Sequence, residues 1–78
     1  MTPYEKLLFR MVGLLAYALL RSLGNSVKRA NARAAAEAID ECAAQMVKRG
    51  PPAYDDADAL LMDYERLMDY ERRLYGDA

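Results

Sequence analysis

Apolar and polar positions repeat with helical spacing along the whole chain, and glycine and proline residues separate the periodic segments. At about 100° per residue, the pattern predicts helices over residues 3–23, 26–49 and 56–75. No stretch alternates with the period of two that marks a strand. We therefore expect an all-α domain over residues 1–78. Residues 1–50 form a basic helical hairpin, 51–55 a proline-containing linker, and 56–78 an acidic amphipathic helix.

Start and stop signals agree with these bounds. Thr2 and Glu5 have the spacing of a capping box, with Pro3 at the first helical position. Residues that favour helix ends recur at the later boundaries: Gly24, Asn25, Ser26, Gly50, Asp55, Asp56 and Gly76. Pro51 follows the second helix directly and cannot continue it.

The first predicted helix is apolar over about two thirds of its circumference, whereas packing on one side of a small monomer needs about one third. Its polar residues form one narrow stripe: Lys6, Arg10, Gly13, Tyr17 and Arg21. Two helices of the same chain can cover part of the apolar arc, and a second copy can cover the rest. We therefore expect a symmetric homodimer, with an interface formed by Leu8, Met11, Leu15 and Leu19.

The second predicted helix has a seam of small apolar residues at steps of four and three: Ala32, Ala36, Ile39, Ala43 and Met46. Small side chains let a partner backbone approach closely, so we expect the first helix to pack on this seam. Cys42 lies beside the seam and has no histidine to activate it. We interpret Cys42 as a buried core residue and not as a nucleophile.

The third predicted helix carries an apolar stripe that comprises Ala57, Leu60, Leu61, Tyr64, Leu67, Met68, Leu74 and Tyr75. Glu71 falls inside this stripe, so it either pairs with an arginine of the first two helices or marks where the stripe leaves the core. Asp63 and Asp69 are placed on the outer face, within helical reach of Arg66 and Arg73 respectively.

The composition excludes several kinds of site and so limits the functions that the chain can have. The chain has one cysteine and no histidine among 78 residues, which excludes an intrachain disulfide and the common zinc sites. A domain of this size is weakly stable alone. With disulfides and zinc excluded, oligomerisation is the remaining way for it to gain stability. The net charge is −1, with +4 in residues 1–50 and −5 in residues 51–78. A lone thiol without a cleavable signal pattern leads us to expect a cytoplasmic protein.

No catalytic, cofactor-binding or metal-binding pattern is found, so the sequence predicts a non-enzymatic protein without cofactors. We expect a small regulator, adaptor or inhibitor that occupies a surface of a larger protein. Arg10, Tyr17 and Arg21 are the candidate partner-binding residues, because arginine and tyrosine are enriched at binding hot spots. Phage and mobile-element accessory proteins offer an analogy in size and class alone.

Two alternatives remain open. Lys28, Arg29 and Arg33 cluster at the start of the second helix, where a nucleic-acid-binding regulator would place contacts to phosphate and bases. The first helix could also anchor the chain at a membrane surface, with its basic residues toward the headgroups. Its uninterrupted apolar run, residues 11–20, is half the length that a membrane span requires, about 20 residues. The pattern favours a protein partner over both.

Overall fold

A computed structural model describes residues 2–23, 27–52 and 57–76, apart from the side chains of Val27 and Lys28. These residues form α1 (Pro3–Arg21), α2 (Val27–Arg49) and α3 (Ala57–Tyr75). The described residues contain no strand, which confirms the predicted all-α class.

The capping box at the start of α1 is confirmed. The Thr2 hydroxyl accepts from the Glu5 backbone N–H at 3.2 Å, and the Glu5 carboxylate accepts from the Thr2 backbone N–H at 3.4 Å. Two backbone donors that no helical carbonyl could satisfy thus find partners. Other predicted helix-end residues lie outside the described part of the chain: Gly24, Asn25, Ser26, Asp55 and Asp56.

Gly50 ends α2 in the left-handed region that glycine adopts without strain. Its φ is +77°, and its N–H donates to the Met46 carbonyl at 3.0 Å. Pro51 follows, so the chain leaves the axis of α2 at this point.

The core is formed by one side of each helix. α1 contributes Tyr4, Leu7, Met11, Leu14 and Ala18, and α3 contributes Leu67 and Leu74. All five residues of the predicted α2 seam are buried, as is Cys42 beside them. The prediction that Cys42 is a core residue is therefore confirmed. The Tyr4 hydroxyl donates to the Met46 carbonyl at 2.7 Å, which places the start of α1 beside the end of α2.

α3 is rotated about its axis relative to the predicted stripe. Leu61, Tyr64 and Tyr75 are exposed, whereas Asp63, predicted on the outer face beside Arg66, is only 2% exposed. The buried Asp63 carboxylate instead accepts a hydrogen bond from the Arg49 guanidinium at the end of α2. The prediction for Asp63 was wrong because it lies one helical turn before Leu67, on the same side of α3. The long arginine side chain reaches across to neutralise it.

This ion pair should matter for stability. Asp63→Asn keeps the shape of the side chain and removes its charge, so we expect the free energy of unfolding to fall by about 1–3 kcal/mol. The matched control is Asp69→Asn, since the Asp69 carboxylate lies 3.0 Å from Arg73 in an exposed pair on the same helix. That change should alter stability by at most about 0.5 kcal/mol. Urea unfolding at equal chain concentrations checks both values, and equal effects would contradict a structural role for the Arg49–Asp63 pair.

Candidate protein-binding surface

The polar stripe of α1 lies beside the core and does not point away from it. Viewed down the helix, the stripe is displaced by about 100° from the middle of the buried side. This displacement turns the stripe toward α3. Three of its residues make contacts with α3 or with one another: Arg10, Tyr17 and Arg21.

Arg10 and Glu71 join α1 to α3. The Arg10 guanidinium donates to the Glu71 carboxylate at 2.8 Å, with the two side chains 48% and 22% exposed. This hydrogen bond raises the pKa of Arg10 above its ordinary value. Of the two outcomes predicted for Glu71, pairing with an arginine of the first two helices is confirmed.

Tyr17 and Arg21 close the other end of the same edge. The Arg21 guanidinium donates to the Tyr17 hydroxyl at 2.9 Å and to the Leu74 carbonyl at 3.3 Å. The ring of Tyr17 packs against that of Tyr75, with centroids 4.9 Å apart and planes tilted by 43°. The three predicted partner-binding residues, Arg10, Tyr17 and Arg21, therefore lie along one partly exposed edge of α1, which we call the polar edge. Contacts within the chain order their side chains.

The side of α1 that points away from the core is apolar. We call it the outer face of α1 and define it by Phe9, Val12, Gly13, Ala16, Leu19 and Leu20, together with Leu23 in the turn that follows the helix. Its five large side chains are all at least 51% exposed, and Phe9 and Leu23 reach 71% and 77%. The exposed apolar area is on the order of 500 Å² per chain, comparable to the largest patches on monomeric proteins, which are often functional.

The predicted dimer residues divide between the core and the surface. Leu19 lies on the outer face, and Leu8 and Leu15 are partly buried at its border. Met11 is fully buried in the chain's own core, so its side chain cannot contact a second chain. The apolar residues of α1 thus divide into a buried set in the core and an exposed set on the outer face. Sequence reasoning had not singled out four large residues of the exposed surface: Phe9, Val12, Leu20 and Leu23.

The basic residues at the start of α2 form a smaller cluster. Arg29 and Arg33 are exposed and lie one helical turn apart, so both side chains can reach the same side of α2. The side chain of Lys28, the third residue of the predicted nucleic-acid contact, lies outside the described residues.

Comparisons of the chain with protein families, curated proteins and solved structures find no match. Within residues 2–23, 27–52 and 57–76, no group of three or more cysteine or acidic residues could hold a metal ion. No described helix is long and apolar enough to cross a bilayer.

The aromatic contact along the polar edge can be measured by a double-mutant cycle. We expect Tyr17→Ala and Tyr75→Ala each to destabilise the protein, with a coupling free energy of about 0.5–1.5 kcal/mol in the double variant. Urea unfolding of the four proteins gives this value. Strictly additive losses would show that the two rings do not stabilise each other.

Tyr70 should make stability depend on alkaline pH. Burial raises the pKa of its hydroxyl, and the neighbouring Cys42 side chain contributes in the same direction. The unfolded chain, with a tyrosine pKa of about 10, then loses the proton first as pH rises. Tyr70 should therefore lower the stability of the folded state from about pH 10 upward.

The measurement compares urea midpoints between neutral and alkaline pH for the wild type and Tyr70→Phe. Tyr70→Phe should lose less stability at high pH, and the control Tyr75→Phe, an exposed position on the same helix, should follow the wild type. If Tyr70→Phe and the wild type decline in parallel, Tyr70 does not contribute to the pH dependence.

Proposed function

We propose that this chain is a non-catalytic protein-binding module, a small regulator, adaptor or inhibitor that acts by occupying a surface of a larger protein. In this proposal α1 and α2 form a helical hairpin, α3 packs on it, and two chains assemble as a homodimer. The observation that carries the proposal is the exposed, uninterrupted apolar outer face of α1. A cytoplasmic location is part of the proposal, since the chain has a single cysteine and that thiol is buried.

The chemistry of the outer face favours association over catalysis. From Phe9 to Leu23 this side of α1 offers no charged or hydrogen-bonding side chain. Removal of such a surface from water is favourable and non-directional, which stabilises a complex and does not activate a substrate. A surface of this kind on a small helical protein is typical of helix-to-helix contacts between chains.

The polar edge supplies anchors beside the outer face. Arg10 and Arg21 are held by Glu71 and by the Leu74 carbonyl, and the ring of Tyr17 packs on α3. Side chains that are already ordered lose less conformational entropy when a partner binds. We propose that these three residues contact the larger protein at the border of the apolar surface, where arginine and tyrosine contribute most.

A pair of matched substitutions tests the proposed surface. Leu20 on the outer face and Val47 on α2 are 68% and 63% exposed, and each lies in the last turns of its helix. Leu20→Lys should dissociate the homodimer, because burial of an unpaired ammonium group is strongly unfavourable. Val47→Lys adds the same charge to a comparable site and should leave the assembly intact.

Size-exclusion chromatography with light scattering gives the readout. The wild type and Val47→Lys should have about twice the 8.8 kDa chain mass, and Leu20→Lys the mass of one chain with an unchanged helical circular dichroism spectrum. If the two lysine variants have the same mass, the outer face of α1 is not the binding surface.

A further inference from the structure

The outer face of α1 has the spacing of a coiled-coil seam. Phe9, Val12, Ala16 and Leu19 follow one another at steps of three, four and three residues, and Leu23, in the turn after the helix, continues the spacing at a step of four. This 3-4-3-4 spacing keeps side chains in line along one face and allows them to interdigitate with a second helix. In the described structure this seam points away from α2 and α3.

The positions of the outer face are symmetric about Ala16. An antiparallel copy centred there places Phe9 opposite Leu23 of the other chain, and Val12 opposite Leu20. It also places Gly13 opposite Leu19, and Ala16 opposite itself. Ala16 then lies at the centre of the contact, where two crossing helices approach most closely, and Gly13 lies opposite Leu19 at the next level. The same face is thus complementary to itself, as a twofold interface requires.

Gly13 supports this register independently. A glycine inside a helix lowers its stability relative to alanine, so its presence calls for a structural reason. Within the chain none is found among the described neighbours, since a Cβ added to Gly13 would meet no atom within 4 Å. In the antiparallel register the missing side chain leaves a notch that receives Leu19 of the second copy.

A parallel pair is less favourable because it aligns the two helix dipoles, whereas the antiparallel pair opposes them.

The apolar area that two outer faces can bury lies near the lower bound for a specific interface. With on the order of 500 Å² of exposed apolar surface on each outer face, full contact between two copies buries about 1,000 Å². Partly buried Leu8 and Leu15 at the border add to this area.

We propose that two copies of the chain pair antiparallel through the outer faces of α1, with a twofold axis at Ala16 and Leu19 of each copy seated at Gly13 of the other. This inference rests on the proposed protein-binding function and names a second copy of the chain as the occupant of the surface.

Single cysteines test the register in a Cys42→Ala background, which removes the native thiol. In the antiparallel pair only Ala16 meets its own copy, whereas two copies of residue 9 lie about 21 Å apart, beyond the reach of a disulfide. Mild oxidation should therefore cross-link Ala16→Cys with itself, and neither Phe9→Cys nor Leu23→Cys alone. An equimolar mixture of Phe9→Cys and Leu23→Cys should form the mixed disulfide.

The outcomes separate the register from the proposed function. A dimer in which Phe9→Cys and Leu23→Cys each cross-link with themselves is parallel, which overturns this inference and leaves protein binding intact. A Cys42→Ala chain that stays monomeric, yet cosediments with phosphatidylglycerol vesicles, overturns both and assigns the outer face to a membrane surface. Mass measurement of the Cys42→Ala chain before oxidation distinguishes these cases.

Gly13→Ala provides a second test that does not depend on cysteine chemistry. Alanine favours the helix, so the dissociated chain should keep its helical circular dichroism spectrum. The added methyl group fills the notch, so the dimer dissociation constant should rise severalfold in sedimentation equilibrium. A dissociation constant that is unchanged or lower would contradict the contact between Gly13 and Leu19.

Discussion

α2 and α3 can cover only one side of α1, but the apolar residues of α1 extend around most of its circumference. The buried side holds five core residues, and burial of a large apolar side chain stabilises by about 1.5–3 kcal/mol. The partly exposed Arg10–Glu71 pair contributes at most about 1 kcal/mol. Apolar burial therefore decides which side of α1 turns inward, and the polar edge fixes its alignment with α3. The remaining apolar side is left facing out.

The rest of the core cannot compensate for this exposed surface. α2 contributes mainly alanines, which pack closely but bury little area each. α3 contributes two leucines and one buried carboxylate, and Asp63 is tolerated only because Arg49 neutralises it. A 78-residue domain with a core of this kind gains from association, since burial between chains adds to burial within the chain.

Periodicity and capping predicted most of the fold. The three helices, the capping box at Thr2 and the α2 seam follow from local spacing and from propensity, both of which are visible in sequence. The rotation of α3 was mispredicted because two overlapping stripes compete. The stripe that faces the core comprises buried Asp63, Leu67 and Leu74 and partly buried Tyr70. Because it begins with a carboxylate, its hydrophobic pattern is hard to recognise in the sequence. This stripe can be buried because Arg49 pairs with Asp63, and that contact depends on the tertiary structure.

The excess of apolar residues on α1 predicted that part of this helix stays exposed in a single chain, and the structure shows such a surface. The width of the apolar arc alone could not say which part the chain itself would cover. Met11 and Leu19 differ by about 80° around the helix, and the packing of α2 and α3 separates them into core and outer face. The 3-4-3-4 spacing from Phe9 to Leu23 was the signal that could have located it.

A dilution series of two-dimensional ¹H–¹⁵N NMR spectra of the unmodified chain tests the central claim most directly. If the outer face of α1 is a self-association surface, amide shifts that change with concentration should concentrate between Leu8 and Leu23. The amides around Val47 and Leu61, which carry exposed apolar side chains elsewhere, should stay constant. Spectra that do not change with concentration, or changes centred on α2 or α3, would contradict the account.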